Sequence, residues 1–337
     1  MYCIVDSTTT PYFNLAAEEF LLKNKDFPIF RLWRNAPSII VGCNQNTYAE
    51  INRDYVISNN IPVVRRLSGG GAVFHDLGNI NFTFIDKQIG GESSSEMFAR
   101  FTQPIISALN ELGVKAYLEG RNDLLIDGKK FSGNAICVHK GRVLQHGTLL
   151  FSASIENLSA ALQTRPEKFI GKAVKSNISR VTNISRHLPK DNSLLGSGQG
   201  STAASAEAFM TYLKEHIAKS YKIYQYTEQD LEAIQNLCDT KYSQDSWNYG
   251  NSPKYTFSNS KKFECGFIEL HLNITKSTIQ DCKIMGDFFS LCNIAELETT
   301  LIGLPYNTKA IDAALRKLDL NAYFSKLAIE EFLELCF

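Results

Sequence analysis

The most restrictive feature of the chain is the run Arg65-Arg66-Leu67-Ser68-Gly69-Gly70-Gly71-Ala72-Val73-Phe74-His75-Asp76. Three consecutive glycines offer no side chain to pack and lose more backbone freedom on ordering than other residues, so a plain strand does not favour them. The backbone here approaches something closely. Bare amides donate to an anion without steric cost, and the two arginines offer planar forks that match phosphate oxygens. The spacing fits neither the P-loop, which ends in Gly-Lys-Ser/Thr, nor G-x-G-x-x-G. A glycine-rich turn is the plain alternative; the arginines favour a cradle for a polyphosphate. Ala72, Val73 and Phe74 can present only backbone groups, either to read a base from a strand edge or simply as core.

The flanking pattern predicts a mixed α+β fold. Asn14 is expected to cap an amphipathic helix over 14–24, with Leu15, Ala16, Phe20, Leu21 and Leu22 on one stripe. Short apolar runs at 29–33, 39–41, 63–64, 72–74 and 80–85, each bounded by Pro, Gly or Asn, read as strands of one sheet, with a helix around 48–58 between them. A helix over 94–112 follows, then strands at 115–126, 130–138 and 143–151. Asp127-Gly128 marks a tight hairpin. Residues 191–206, rich in Ser, Gly, Ala and Asn, read as a flexible loop before a helix at 205–220. Composition shifts to Ser, Asn, Gly, Pro and Lys near 244–262, which places a boundary between a large unit, 1–248, and a small α+β unit, 254–337. The small unit is expected to hold strands at 263–275 and 278–286 and helices at 293–302, 308–318 and 324–335.

Length supports the same division, since 337 residues exceed one average domain. Lys+Arg and Asp+Glu are both 35, so no global field favours nucleic acid or an anionic membrane, and any anionic ligand must be held by local charge. The eight cysteines contain no C-x-x-C pair and read as reduced, mostly buried thiols. Residues 1–6 carry no basic, apolar leader, which makes a cytoplasmic location the default expectation.

A second stretch carries chemistry: Gly120-Arg121-Asn122-Asp123, then Asp127-Gly128-Lys129-Lys130-Phe131-Ser132-Gly133-Asn134-Ala135. The hairpin puts Lys130 at the start of the returning strand, among small residues, where it is expected to point into a confined site with its charge little screened. A solvated surface lysine is the plain alternative. His146, in His-Gly-Thr before Leu149-Leu150-Phe151, is a ligand-orienting residue or a satisfied structural one.

Together with Asn14–Glu19, Trp33-Arg34-Asn35, Gly42–Asn46, His75–Asn79 and His146–Leu150, these stretches resemble the lipoate–protein ligase A family, in order over residues 10–185. Glycine triplet and Lys-x-Ser-Gly together mark the wider superfamily of lipoate ligases, octanoyltransferases and biotin ligases; His-Asp-Leu-Gly-Asn and Gly-Arg-Asn-Asp narrow it. The 191–206 loop is longer and more polar than the family pattern. The resemblance implies a large mixed-sheet catalytic domain of the biotin ligase/class II synthetase type and a small C-terminal domain that moves during the cycle. It implies ATP and Mg2+, with the protein ligands of the metal left open. Free lipoate would be activated to lipoyl-AMP and passed to a lysine of an acceptor: lipoyl domains of the 2-oxoacid dehydrogenase complexes or the glycine-cleavage H protein.

By the same carry-over, Arg66 and Gly71, Ala72, Val73 and Phe74 bind ATP, and Lys130 is the catalytic residue touching both nucleotide and lipoate. Ser68, Gly69, Gly70, His75, Asn79, Asp123 and His146 are expected to line the site. Two other readings stand beside this one. The first is an ATP-independent octanoyl or lipoyl transferase, which would need a thioester-forming cysteine. The second is a non-catalytic binder of lipoate or nucleotide.

Overall fold

The computed structural model describes residues 1–162, 181–189, 205–249, 257–275 and 277–337. The composition change at 250–256 and most of the 191–206 loop therefore lie outside the described residues. The strands are β1 (Tyr2–Val5), β2 (Ile29–Trp33), β3 (Ser38–Val41), β4 (Val63–Arg65), β5 (Val73–His75), β6 (Asn79–Lys87), β7 (Ala116–Glu119), β8 (Asp123–Ile126), β9 (Lys129–His139), β10 (Arg142–Leu150), β11 (Lys222–Ile223), β12 (Phe257–Phe263), β13 (Gly266–Thr275) and β14 (Thr278–Gly286).

Eight of them form one mixed sheet in the order β11-β1-β2-β6-β10-β9-β8-β7. The expectation of a single sheet through residue 85 is corrected here, because β3, β4 and β5 form a separate small sheet in the order β4-β3-β5. Both β3 and β4 are buried along their whole length, so their apolar runs carry no alternation that would say which sheet they join. The predicted 115–126 strand is the β7–β8 hairpin, and the 48–58 helix is two short ones, Thr47–Glu50 and Arg53–Ser58. Asp127 and Gly128 both adopt positive φ, 51° and 72°, as the tight turn between β8 and β9 requires.

The first helix runs Pro11–Asn24, with Pro11 in its first turn and Thr10 at the cap position, so Asn14 is not the cap. Proline suits that first position because its missing N–H would have had no helical partner. The helix is buried on every side from Asn14 to Leu22, which no single apolar stripe would give. It lies between the two sheets, sharing a core with Ile29, Ile85 and Leu144 of the large one and Ile40 and Val64 of the small one. Its buried polar groups are consequently all paired. Glu19 accepts from Lys23 (2.7 Å), Lys241 (2.8 Å) and Tyr242 (2.7 Å).

The opposite face of the large sheet is covered by Ser94–Glu111, which opens on a Ser93/Glu96 capping box, and by Ala206–Ile217. Phe98, Phe101, Leu109, Phe209 and Leu213 meet Phe30, Phe82 and Phe84 there.

Beyond residue 257 the antiparallel sheet β12-β13-β14 packs on helices Ile294–Leu301, Thr308–Leu315 and Ile329–Cys336 around its own core. The predicted 263–275 strand breaks into the end of β12 and β13, and the 324–335 helix starts only at Ile329. This unit touches the large one through consecutive aromatics. Phe288 packs 4.8 Å from Phe324 in the small core, while Phe289 inserts 5.5 Å from Phe98 in the large one. The Gly286 amide donates to Asn44 O (2.7 Å), and that of Gly70 to Phe288 O (3.3 Å).

This contact explains two of the three glycines. A Cβ on Gly69 would sit 2.4 Å from Phe288 O, and Gly70 has φ of +90° with the Phe289 ring 2.9 Å from its would-be Cβ. At Gly71 a Cβ would meet nothing within 4 Å. Gly69→Ala should therefore lower the thermal midpoint by several degrees, the size expected for about 1–3 kcal/mol of strain, whereas Gly71→Ala should leave it within a degree or two. Equal midpoints for the two variants would refute this division of the triplet.

Candidate active site

The glycine loop is held from below by Arg66. Its guanidinium is buried and donates to Ser68 Oγ (3.0 Å), Ile40 O (3.3 Å), Gly69 O (2.6 Å) and Gly71 O (2.9 Å). It makes no ion pair with a carboxylate among the described residues, and burial pulls it down to about 10 from its usual value. A buried, neutralised-by-nothing cation next to open space favours an anion. Arg65 does not share this task. Its side chain turns the other way and bonds the carbonyls of Gly42, Cys43, Gln45 and Trp247, so it braces the loop after β3.

Two cavities meet beside this loop. The first is lined on one side by Leu15, Trp33, Ile40 and His75, and on the other by Lys130, Gly133 and Asn134. The second, wider cavity runs past Phe74, Asp123, Leu125 and Leu158. Both are bordered by Ala72, Val73, Lys130, Gly133 and Thr148. Because β5 is an edge strand of its sheet, its outer backbone groups are unpaired by the sheet and face the second cavity.

Lys130 sits where the two join. The β8–β9 ladder is irregular here: Leu124 opposes Ser132 and Leu125 opposes Lys130, leaving Phe131 as an extra residue that faces the core. Such a bulge re-aims the neighbouring side chain. A Cβ on Gly133 would lie 3.1 Å from Lys130 Nζ, so the Lys-x-Ser-Gly spacing makes room for the ammonium to fold back over its own strand. The expectation of a confined lysine is corrected: its side chain is 40% exposed and pairs with Asp123 at 2.8 Å.

Two histidines line the first cavity. On β10, His146 places Nδ1 2.9 Å from the buried Glu18 carboxylate and Nε2 2.6 Å from Ser68 Oγ. Glu18 also accepts from Thr83 (2.6 Å); although burial works to raise it, His146, Arg31 and Thr83 hold it below its usual range. His75, on β5, accepts at Nδ1 from Asn35 (3.1 Å) and is pushed down to about 3 by burial and by Arg66 and His146.

Of the residues singled out from sequence, Arg66, Gly70, Gly71, Ala72, Val73, His75, Lys130 and His146 line the first cavity, and Phe74 and Asp123 the second. Ser68, Gly69 and Asn79 border neither; Ser68 acts through Arg66 and His146, and Asn79 bonds Asn81 (3.1 Å). Sequence reasoning did not assign Trp33, Asn81 or Gly133 to the site, although Trp33 and Gly133 stood inside the diagnostic motifs. Phe289 had no signal, since only docking of the C-terminal unit brings it there. Cys137 borders neither cavity, and burial drives its thiol up to about 12. Among the described residues no group of three His, Cys, Asp or Glu is placed to hold a metal ion.

His75 makes the stability pH-dependent. The fold keeps it neutral, whereas the unfolded chain takes up a proton below about 6.5, so this contribution is complete above that pH and is lost as pH falls toward about 3. Glu18, held below its usual 4.5, gives way only at lower pH. Between pH 6.5 and 5 the unfolding free energy should fall by about 1 kcal/mol or more, and His75→Gln should flatten that slope. Denaturant titrations at both pH values measure it; an unchanged slope in the variant would remove His75 as the cause.

Residues 10–226 match the family described as lipoyl protein ligase A/B catalytic domain, and residues 252–336 match the bacterial lipoate protein ligase C-terminus. The lipoate-protein ligase LplJ of Bacillus subtilis (strain 168) is 43% identical over 336 residues, covering 97% of each chain. A Plasmodium falciparum structure in complex with lipoate superposes with a TM-score of 0.78 at 26% identity, covering 99% of this chain and 97% of that one. A lipoate-protein ligase A bound with ATP superposes with a TM-score of 0.61 at 26% identity, over 74% of this chain and 98% of its own. With its catalytic and C-terminal portions both matched, the chain belongs to the lipoate–protein ligase family.

Proposed function

We propose that this enzyme activates free lipoate with ATP, forming lipoyl-AMP and pyrophosphate, and then transfers the lipoyl group to an acceptor lysine with release of AMP. The observation that carries the reading is Lys130 at the junction of two cavities. One is lined by Leu15, Trp33 and Ile40 and suits an acyl chain; the other is bounded by the glycine loop and an edge strand and suits a nucleotide.

A carboxylate attacks an anionic phosphate only if repulsion is offset and the partners are held in line. Arg66 and the amide of Gly71, the one glycine of the triplet with open space before it, suit the phosphates. The Ala72–Phe74 backbone suits the base. Lys130 then faces the developing charge at the α-phosphate and, in the second step, the acyl carbonyl oxygen. Asp123, paired with Lys130, holds the ammonium until substrate oxygens compete for it. Mg2+ would enter with the phosphates and take Asp123 as an oxygen ligand, the mode usual for an ion bound through one or two carboxylates plus phosphate; it supplies charge neutralisation.

The acceptors in this reading are lipoyl domains of 2-oxoacid dehydrogenase complexes and the glycine-cleavage H protein, met in the cytoplasm. The chain divides into a catalytic domain, 1–248, and an accessory domain, 254–337. An ATP-independent transferase finds no support at Cys137, whose thiol is buried and borders neither cavity.

Purified protein given lipoate, ATP and a lipoyl domain should yield AMP and a lipoylated acceptor; activity only from a pre-acylated donor, or binding without turnover, would overturn the reading. Lys130→Ala should lose at least about a hundredfold in both pyrophosphate exchange and transfer, the scale of one transition-state contact in a dry site. A folded variant with near-normal transfer would remove Lys130 from the mechanism. In Arg66→Ala, ATP affinity measured by calorimetry should fall more than lipoate affinity; the reverse order would contradict the assignment of Arg66 to phosphate.

A further inference from the structure

The wall of the first cavity holds a hydrogen-bond donor whose direction is fixed by a relay that starts at an arginine. Arg31, buried beneath the first helix, donates through Nη2 to Asn14 Oδ1 (2.8 Å). A guanidinium can only donate, so this oxygen assignment is unambiguous, and Asn14 Nδ2 accordingly donates to Thr8 O (2.9 Å) and Arg34 O (3.0 Å). The same Nδ2 lies 2.9 Å from Asn35 Oδ1, and Asn35 Nδ2 lies 3.1 Å from His75 Nδ1. Each amide is thereby oriented by the one before it, and the last donates to the imidazole. His75 Nδ1 must accept, which puts the proton of the neutral ring on Nε2. That nitrogen is buried and has no partner among the described residues.

The location is as specific as the polarity. His75 borders the first cavity and not the second. It lies against Trp33, ring centroids 6.1 Å apart, and Trp33 is paired across β2 and β6 with Asn81, another cavity residue. Lys130, by contrast, lies on β9, with β6 and β10 intervening between it and β2 in the sheet order. Strand spacing puts about 14 Å between those ends. An acid whose carboxylate reaches Lys130 therefore brings its tail, not its head, to His75.

We propose that His75 is a specificity-determining residue that presents Nε2–H to the distal end of the acyl chain and selects chains carrying an acceptor atom there. This rests on the reading that the first cavity takes lipoate. The ring sulfurs of lipoate are weak acceptors; an unsubstituted eight-carbon acid ends in a methyl group, which displaces water from the donor and returns nothing. A site built around a polar group rejects the analogue that leaves that group unpaired. Asn14, Asn35 and Arg31 are positioning residues in this scheme, which accounts for a polar helix residue buried far from any cap.

The test compares lipoate with octanoate in acid-dependent pyrophosphate exchange. His75→Phe, which keeps the ring and removes the donor, should lower the ratio of kcat/KM for lipoate over octanoate by about five- to tenfold, and His75→Gln, whose amide can accept from Asn35 and still donate, should restore much of it. Asn35→Leu, which leaves His75 in place with its tautomer free, should shift the ratio in the same direction. Equal losses for both acids in every variant would mean a structural role only and would overturn the proposal. With six histidines in the chain, nitrogen spectra of protein labelled at histidine assign the His75 tautomer directly; a proton on Nδ1 would also overturn it. If the unaltered enzyme activates neither acid, the functional reading fails instead, and the two failures are thereby distinct.

Discussion

Arg66 is the constraint on which the site depends. A buried guanidinium without a carboxylate is costly, and here four acceptors from the loop it precedes and from β3 compensate it. The exchange works both ways. The carbonyls of Gly69 and Gly71 are turned inward to the arginine, so the loop has one shape, and the charge left over by a partnership with neutral groups is available to an anion in front of it. Through Ser68 the same side chain reaches His146 and Glu18, and through Phe288 O the loop it shapes receives the C-terminal unit. The glycine loop, the first cavity and the domain contact thus share one anchor.

Lys130 illustrates a different economy. It is neither buried nor free: Asp123 holds it at the mouth, and Gly133 clears the space into which it folds. A half-exposed ion pair is worth little in stability, so parting Lys130 from Asp123 costs little.

Much of this was legible in the sequence for identifiable reasons. Tight turns declare themselves locally, as Asp127-Gly128 did, and Lys-x-Ser-Gly spacing tracked a real steric need. What local patterns cannot show is which surface a residue will meet. Runs buried on both faces, such as Ser38–Val41, gave no hint of a second sheet. Asn14 looked like a helix cap because polar residues usually are, yet its partner Arg31 lies on a neighbouring strand. The glycine triplet was read as an anion cradle, with a plain turn as the alternative, while Gly69 and Gly70 answer to Phe288 and Phe289, more than two hundred positions away.

The helix Pro11–Asn24 has a consequence for how the chain reaches this fold. It is made before the residues that pair its two buried carboxylates, His146 for Glu18 and Lys241 and Tyr242 for Glu19. At synthesis rates of about 5–20 residues per second, Glu19 waits on the order of ten seconds or longer before Tyr242 exists. Until then Glu19, wrapped between two sheets, would have Lys23 of its own helix as its partner and lack the other two. Full pairing of the helix therefore waits on residues more than two hundred positions further along the chain.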